Sequence, residues 1–170
     1  TPNVVTTWGE LDIRARAQVD SINNSFALLA DKESAFFLAL VPSGSTQKMI
    51  FRLGAFGAGN TDISSVDFPT SVLGVRNWYR ATYDAATGDA KFFTADGNLE
   101  APAISDYTQL GTTQNIGAVS VTVNTGIFRS GAYGNGVTGY PFDGDIYRSQ
   151  VYNEIDGTTP VVDFTAGSYV

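Results

Sequence analysis

Glu-Leu-Asp-Ile-Arg-Ala-Arg-Ala-Gln-Val, residues 10–19, alternates polar and apolar side chains over ten positions without a break. A strand points successive side chains to opposite faces. The run therefore predicts a strand with Leu11, Ile13, Ala15, Ala17 and Val19 buried, and with Glu10, Asp12, Arg14 and Arg16 together on a wet polar face. Outward from it, the turn-forming residues 21–24 lead into the apolar run 25–30, which predicts a hairpin with the first strand. Residues 35–41 are too continuously apolar for a half-wet strand and suit a segment covered on both faces. Residues 48–53 alternate again, with Met49, Phe51 and Leu53 inward, and residues 54–70 read as a long surface loop.

Two runs, 78–83 and 91–94, flank the turn-rich Asp84-Ala85-Ala86-Thr87-Gly88-Asp89 and form the clearest hairpin of the chain. Residues 116–123 and 127–129 read as short strands, and 130–140 as a second Gly-rich loop. A penultimate strand follows at 142–152, then a last one at 161–164, expected to pair with the first. No segment holds a 3.6-residue period over ten positions. Short strands separated by turn signals predict an all-β, two-sheet antiparallel sandwich, one domain over residues 1–170.

Composition narrows the chemistry. Zero His removes the commonest general base and the usual partner of a nucleophilic Ser, and zero Cys removes thiolate ligands and disulfides while leaving the compartment open. A net charge of −7 argues against nucleic acid as a partner. The longest apolar run, 35–42, falls far short of the ~20 residues of a membrane span, so no membrane insertion is expected. A first residue of Thr rather than Met suggests processing or excision from a longer polypeptide.

The hairpin Trp78-x-Arg80-x-x-x-Asp84-x-x-x-Gly88-x-x-x-Phe92 followed by Asp96-Gly97 resembles the central hairpin of the concanavalin A-like, laminin-G-like jelly roll. Leu11-Asp12-Ile13-Arg14-Ala15 is similar to that family's first core strand, and Phe142-Asp143-Gly144-Asp145-Ile146-Tyr147-Arg148 with Val161-Val162-Asp163-Phe164 to its last strands. The ending is of a style found in bacteriophage tail and other virion proteins. At the matched positions the physical roles are structural. Trp78 is expected between the sheets, Arg80 on the solvent face or paired with an acid, and Asp84, Gly88 and Asp96-Gly97 in turns.

The resemblance also implies chemistry to weigh, because the superfamily includes glycoside hydrolases, which need two carboxyls flanking the scissile bond. Glu10 and Asp12, and likewise Asp143 and Asp145, share a strand face. Arg14 stands where a third acid would be expected, and solvated decoration is the better reading of both pairs. Family relatives carry calcium at one edge of the sandwich, and Asn60, Asp62 and Asp67 offer oxygens for it. Tyr133, Asn135 and Tyr140 combine aromatic faces with an amide, the chemistry that meets a sugar's apolar faces and hydroxyl edges.

The expectation is a non-enzymatic bacteriophage virion structural or decoration module. It would sit on capsid or tail subunits, need no cofactor unless calcium, and present a carbohydrate-binding or host-adhesion surface. The alternative is a secreted or surface lectin-like, extracellular glycan-binding domain using calcium; a glycoside hydrolase is third.

Overall fold

A computed structural model describes residues 6–22, 26–32, 35–54, 61–69, 72–123, 128–131 and 142–166. In chain order the strands are β1 (Thr6–Trp8), β2 (Glu10–Ser21), β3 (Ala27–Lys32), β4 (Phe36–Ser43), β5 (Thr46–Leu53), β6 (Thr61–Ser64), β7 (Phe68–Pro69) and β8 (Arg76–Asp84). There follow β9 (Asp89–Asp96), β10 (Thr108–Gln109), β11 (Gln114–Asn115), β12 (Val121–Val123), β13 (Phe128–Arg129), β14 (Asp143–Tyr152) and β15 (Val162–Thr165). One sheet runs β10-β9-β8-β2-β14-β15 with β11 also on β9; the other runs β13-β3-β4-β5-β6 with β7 also on β5. The strand pairings are antiparallel, and a separate ladder joins β1 to β12. This is the two-sheet antiparallel sandwich that the strand and turn signals predict, in the jelly-roll form that the resemblance implies.

The space between the sheets takes the apolar phase of each strand. From β2 come Leu11, Ile13, Ala15, Ala17 and Val19; from β8 Tyr79, Ala81 and Tyr83; and from β9 Ala90 and Phe92. The facing sheet supplies Leu38 and Leu40 from β4 and Met49, Phe51 and Leu53 from β5. Each such Leu, Ile or Phe contributes about 1.5–3 kcal/mol by leaving water. β4 is buried on its other face as well, where Phe37 and Ala39 pack with Leu28, so the continuous apolar run is a strand covered twice.

Four expectations are corrected by the topology. β2 and β3 lie in different sheets, so residues 10–30 form no hairpin. β15 pairs with β14 and not with the first strand. The stretch read as a surface loop contains β6 and β7, both on β5. Within 116–123 only Val121–Val123 is strand, on β1. Alternation fixes which face a residue takes, whereas the partner of a strand is set by packing between residues far apart in sequence.

β14 carries two irregularities against β2, between Asp143 and Gly144 and between Ile146 and Arg148. The first needs glycine: Gly144 has φ +136°, and a Cβ there would lie 2.1 Å from the Gln18 carbonyl oxygen. The second inserts Tyr147. Ile146 packs on the core, and the extra residue lets Tyr147 and Arg148 follow each other onto the outer face.

Candidate functional site

The polar phase of β2 is not wet. Asp12 is 0% exposed, Arg14 7%, Arg16 5% and, beside them on β8, Arg80 1%. The ladder stacks outer-face residues in rungs: Arg14 opposite Arg80, Arg16 opposite Trp78, and Gln18 opposite Arg76 on β8. On the other side of β2, Gln150 opposes Arg14 and Arg148 opposes Arg16. Trp78 therefore occupies the outer face, not the space between the sheets, and packs there with Ala95 and Tyr107. Five of the chain's seven arginines, Arg14, Arg16, Arg76, Arg80 and Arg148, share this sheet face in a protein of net charge −7.

Two connecting segments cover the face and explain its burial. Residues 153–160 are held from below: Ile155 N–H donates to Glu10 Oε2 at 2.8 Å, and Asp156 N–H to Asp12 Oδ2 at 3.2 Å. Asp12 also accepts Arg14 Nη2 at 2.7 Å and Arg80 Nε and Nη2 at 2.9 and 2.8 Å. Arg80 in turn donates to Asp156 Oδ1, and Arg14 Nη2 to the Gly157 carbonyl at 3.2 Å. One carboxylate thus bridges two buried guanidinium groups that the ladder sets side by side, and Asp156 supplies the second negative charge. Asp156 closes the turn with φ +61°, a conformation that Asp tolerates better than most residues. Glu10 and Asp12, expected as solvated decoration, anchor this segment instead.

The second cover, residues 97–107, hangs from three contacts. Arg16 Nε donates to the Gly97 carbonyl at 2.8 Å and Nη1 to Glu100 at 2.6 Å, while Trp78 Nε1 donates to the Leu99 carbonyl at 2.8 Å. Gly97 lies so close to β8 that a Cβ would sit 2.2 Å from the Arg76 carbonyl oxygen. Between the two covers lies a cleft of about 410 Å³. Its floor holds Arg14, Gln150 and Tyr152; its sides include Arg148 and Asp163, with Pro102, Ala103 and Ile104 on one rim and Thr158 and Pro160 on the other. Tyr107 lines it too, and its hydroxyl is buried without a hydrogen-bond partner. Burial pushes the Tyr107 phenol well above its ordinary range, against the opposing pull of Arg14 and Arg80. The phenol stays a neutral hydroxyl, able to donate and accept. A smaller cleft of about 140 Å³ lies on the far side of Asp156, over Arg80, Thr82 and Lys91.

At the open side, Arg148 clasps Asp163 through Nε–Oδ1 at 2.9 Å and Nη2–Oδ2 at 2.6 Å, joining β14 to β15. The Arg148 hydrogen bonds hold the Asp163 carboxyl below the usual carboxylate range, aided by Gln150 and opposed by partial burial. A lowered folded-state pKa stabilises the paired form above the unfolded value of ~3.9, and that contribution disappears as pH falls through the lowered value. Amide protection across residues 162–165 is expected to fall below about pH 4 in the native chain. In Asp163→Asn it should show no step there, as read by hydrogen exchange.

The residues singled out from sequence lie elsewhere. Tyr133, Asn135, Tyr140 and Asn60 fall outside the described residues. Asp62 forks onto Arg52, and Asp67 accepts from Thr46 Oγ1 at 3.0 Å. Those partners are six residues apart on β5, about 20 Å at strand rise, so Asp62 and Asp67 are not brought together. Among the described residues no group of three or more acidic side chains is placed to hold a metal. Asp84 and Asp96 cap turns as expected, accepting the amides of Ala86 and Asn98 at 2.8 Å each. The cleft residues Arg14, Tyr107, Arg148, Gln150, Tyr152 and Asp163 were missed, although the outward phase of residues 10–19 and of β8 already grouped the arginines.

No family model matches the chain, and a search of curated proteins finds no match. Solved structures do resemble it. A putative carbohydrate-binding protein from Bacteroides ovatus aligns with TM-score 0.63 at 13% identity, covering 98% of this chain and 49% of that one. The CBM40 of a Ruminococcus gnavus sialidase, solved with α2,6 sialyllactose, gives 0.59 at 19% identity over 86% of this chain and 78% of that one. The enzymatically active domain of tailspike protein 2 of bacteriophage CBA120 gives 0.50 at 14% identity over 88% of this chain and 23% of that one. These likenesses establish a lectin-like jelly-roll fold.

Proposed function

We propose that the chain is a glycan-binding domain whose ligand lies in the cleft between residues 97–107 and 153–160. The observation that carries this reading is the cleft's composition. A buried, unpartnered Tyr107 hydroxyl and the side chains of Gln150, Arg148 and Asp163 meet the apolar rims of Pro102, Ile104 and Pro160. Sugars present hydroxyl edges and apolar C–H faces, and such a mixture matches both. Two of the structural neighbours named above are described as carbohydrate-binding, which supports the reading without fixing the sugar.

Ala103 is exposed on the rim, so Ala103→Trp fills the cleft without entering the core. On a glycan array the native domain is expected to bind at least one glycan, and Ala103→Trp to weaken that binding at least about tenfold at an unchanged melting temperature. No bound glycan, or binding indifferent to the filled cleft, overturns the proposal. A virion setting is a second reading, supported by the likeness to the tailspike domain. Absence of the chain from purified particles of its source would end it.

A further inference from the structure

Above the cleft, at the Arg76 end of the sheet, the outer face carries a group that neither cover explains. The inserted Tyr147 of β14 turns its ring under two guanidinium groups, Arg76 at 3.9 Å and Arg16 at 5.6 Å from the ring centroid. Arg16 spends Nε on Gly97 and Nη1 on Glu100, and Arg148 spends Nε and Nη2 on Asp163. Arg76 is different. Among the described residues its side chain makes no hydrogen bond or ion pair, and its Nε is buried without a partner. A guanidinium stacked on a ring uses its face and leaves its N–H edge free, the geometry that takes an oxyanion in bidentate fashion.

We propose that this edge receives an anionic group, carboxylate or sulfate, carried by the glycan that occupies the neighbouring cleft. The inference rests on the glycan-binding reading. Arg148 belongs to both places: it lines the cleft and stands in the rung beside Arg16, one outer-face step of about 7 Å from the Arg76 rung. A ligand longer than one sugar unit spans that step. The charge distribution agrees, because the other four arginines of this face are matched by Asp12, Glu100, Asp156 and Asp163, which leaves Arg76 as the guanidinium available to a ligand. Glu100 completes the picture. Its side chain is 85% exposed and salt-bridged to Arg16, so it holds a place that a ligand oxyanion would take.

The test is calorimetry on the whole chain with three polysaccharides: dextran (neutral), polygalacturonate (carboxylate) and dextran sulfate, with inorganic sulfate as the free-ion control. One acidic chain is expected to bind at least about tenfold more tightly than dextran, the scale of a charge-assisted pair, and to weaken as salt rises. Which of the two wins identifies the anion. Arg76→Gln should remove that preference while leaving dextran binding within about twofold, and Arg76→Lys, which keeps charge but not the planar fork, should restore only part of it. Glu100→Gln should tighten the acidic ligand severalfold. Melting temperatures verify that the variants are folded. Glycan binding without acidic preference, a preference indifferent to Arg76→Gln, or weaker binding in Glu100→Gln overturns this inference alone. No binding to any of the three chains overturns this inference, and the glycan reading falls with it when the array is empty as well.

Discussion

Asp12→Ala is expected to destabilise the domain by about 3–5 kcal/mol, the cost of removing one partner from a buried ionic group. For a chain of this length that lowers Tm by roughly 6–20 °C. The reason lies in the ladder: β2 and β8 place Arg14 directly opposite Arg80, and both guanidinium groups lean on the same fully buried carboxylate. Without it Arg14 loses its carboxylate and faces Arg80, which keeps Asp156 alone, and the Asp156 amide loses its acceptor. Asp12→Asn keeps the volume and part of the hydrogen bonding and should fall between. Arg80→Met added to Asp12→Ala should recover part of the loss, since one of the two like charges facing each other across the rung is gone. Denaturant midpoints for the four proteins check the set. A cost below 1 kcal/mol for Asp12→Ala contradicts the expectation.

Trp78→Ala should cost about 3–5 kcal/mol, as large-to-small changes at fully buried aromatic positions do. The effect is directional as well as large, because Trp78 lies beneath residues 97–107 and not in the main core. Removing the indole takes away the floor under Tyr107 and the donor to the Leu99 carbonyl, so that cover loosens before the sandwich does. Hydrogen exchange should accelerate across residues 99–107 while the centre of β4 stays protected. Glycan binding should disappear at temperatures where the sandwich is still folded. Trp78→Phe retains most of the apolar contact and leaves the Leu99 carbonyl without its donor, for an expected cost of about 1–3 kcal/mol.

Much of the sandwich was legible because its signals are local. The alternation of 10–19, the unbroken apolar run that becomes β4, and the Asp84–Gly88 turn each depend on residues within ten positions of one another. The site was not, because its defining fact is what covers the sheet. Asp12, Arg14 and Arg16 look solvated until residues 97–107 and 153–160 are laid over them, and those segments follow some 80 to 140 positions later. Strand phase did carry a clue. In β8, Trp78 and Arg80 share a phase opposite to Tyr79, Ala81 and Tyr83, so two neighbouring strands present charge and a large indole on one side. A tryptophan in the polar phase is a sign that the phase is roofed. The bulge at Tyr147 left no such mark, since a single inserted residue is indistinguishable from regular strand until the partner strand is known.

Residues 97–107 and 153–160 rest on the sheet mainly through the side chains of Glu10, Asp12, Arg14, Arg16, Trp78 and Arg80, with little strand pairing of their own. The sandwich and the segments that line the cleft are therefore separable parts. Positions 101–104 and 158–160 can be diversified in sequence while the six anchoring residues are kept, and the sandwich has no stake in the outcome. One jelly roll of this kind is a chassis that can carry many different cleft linings.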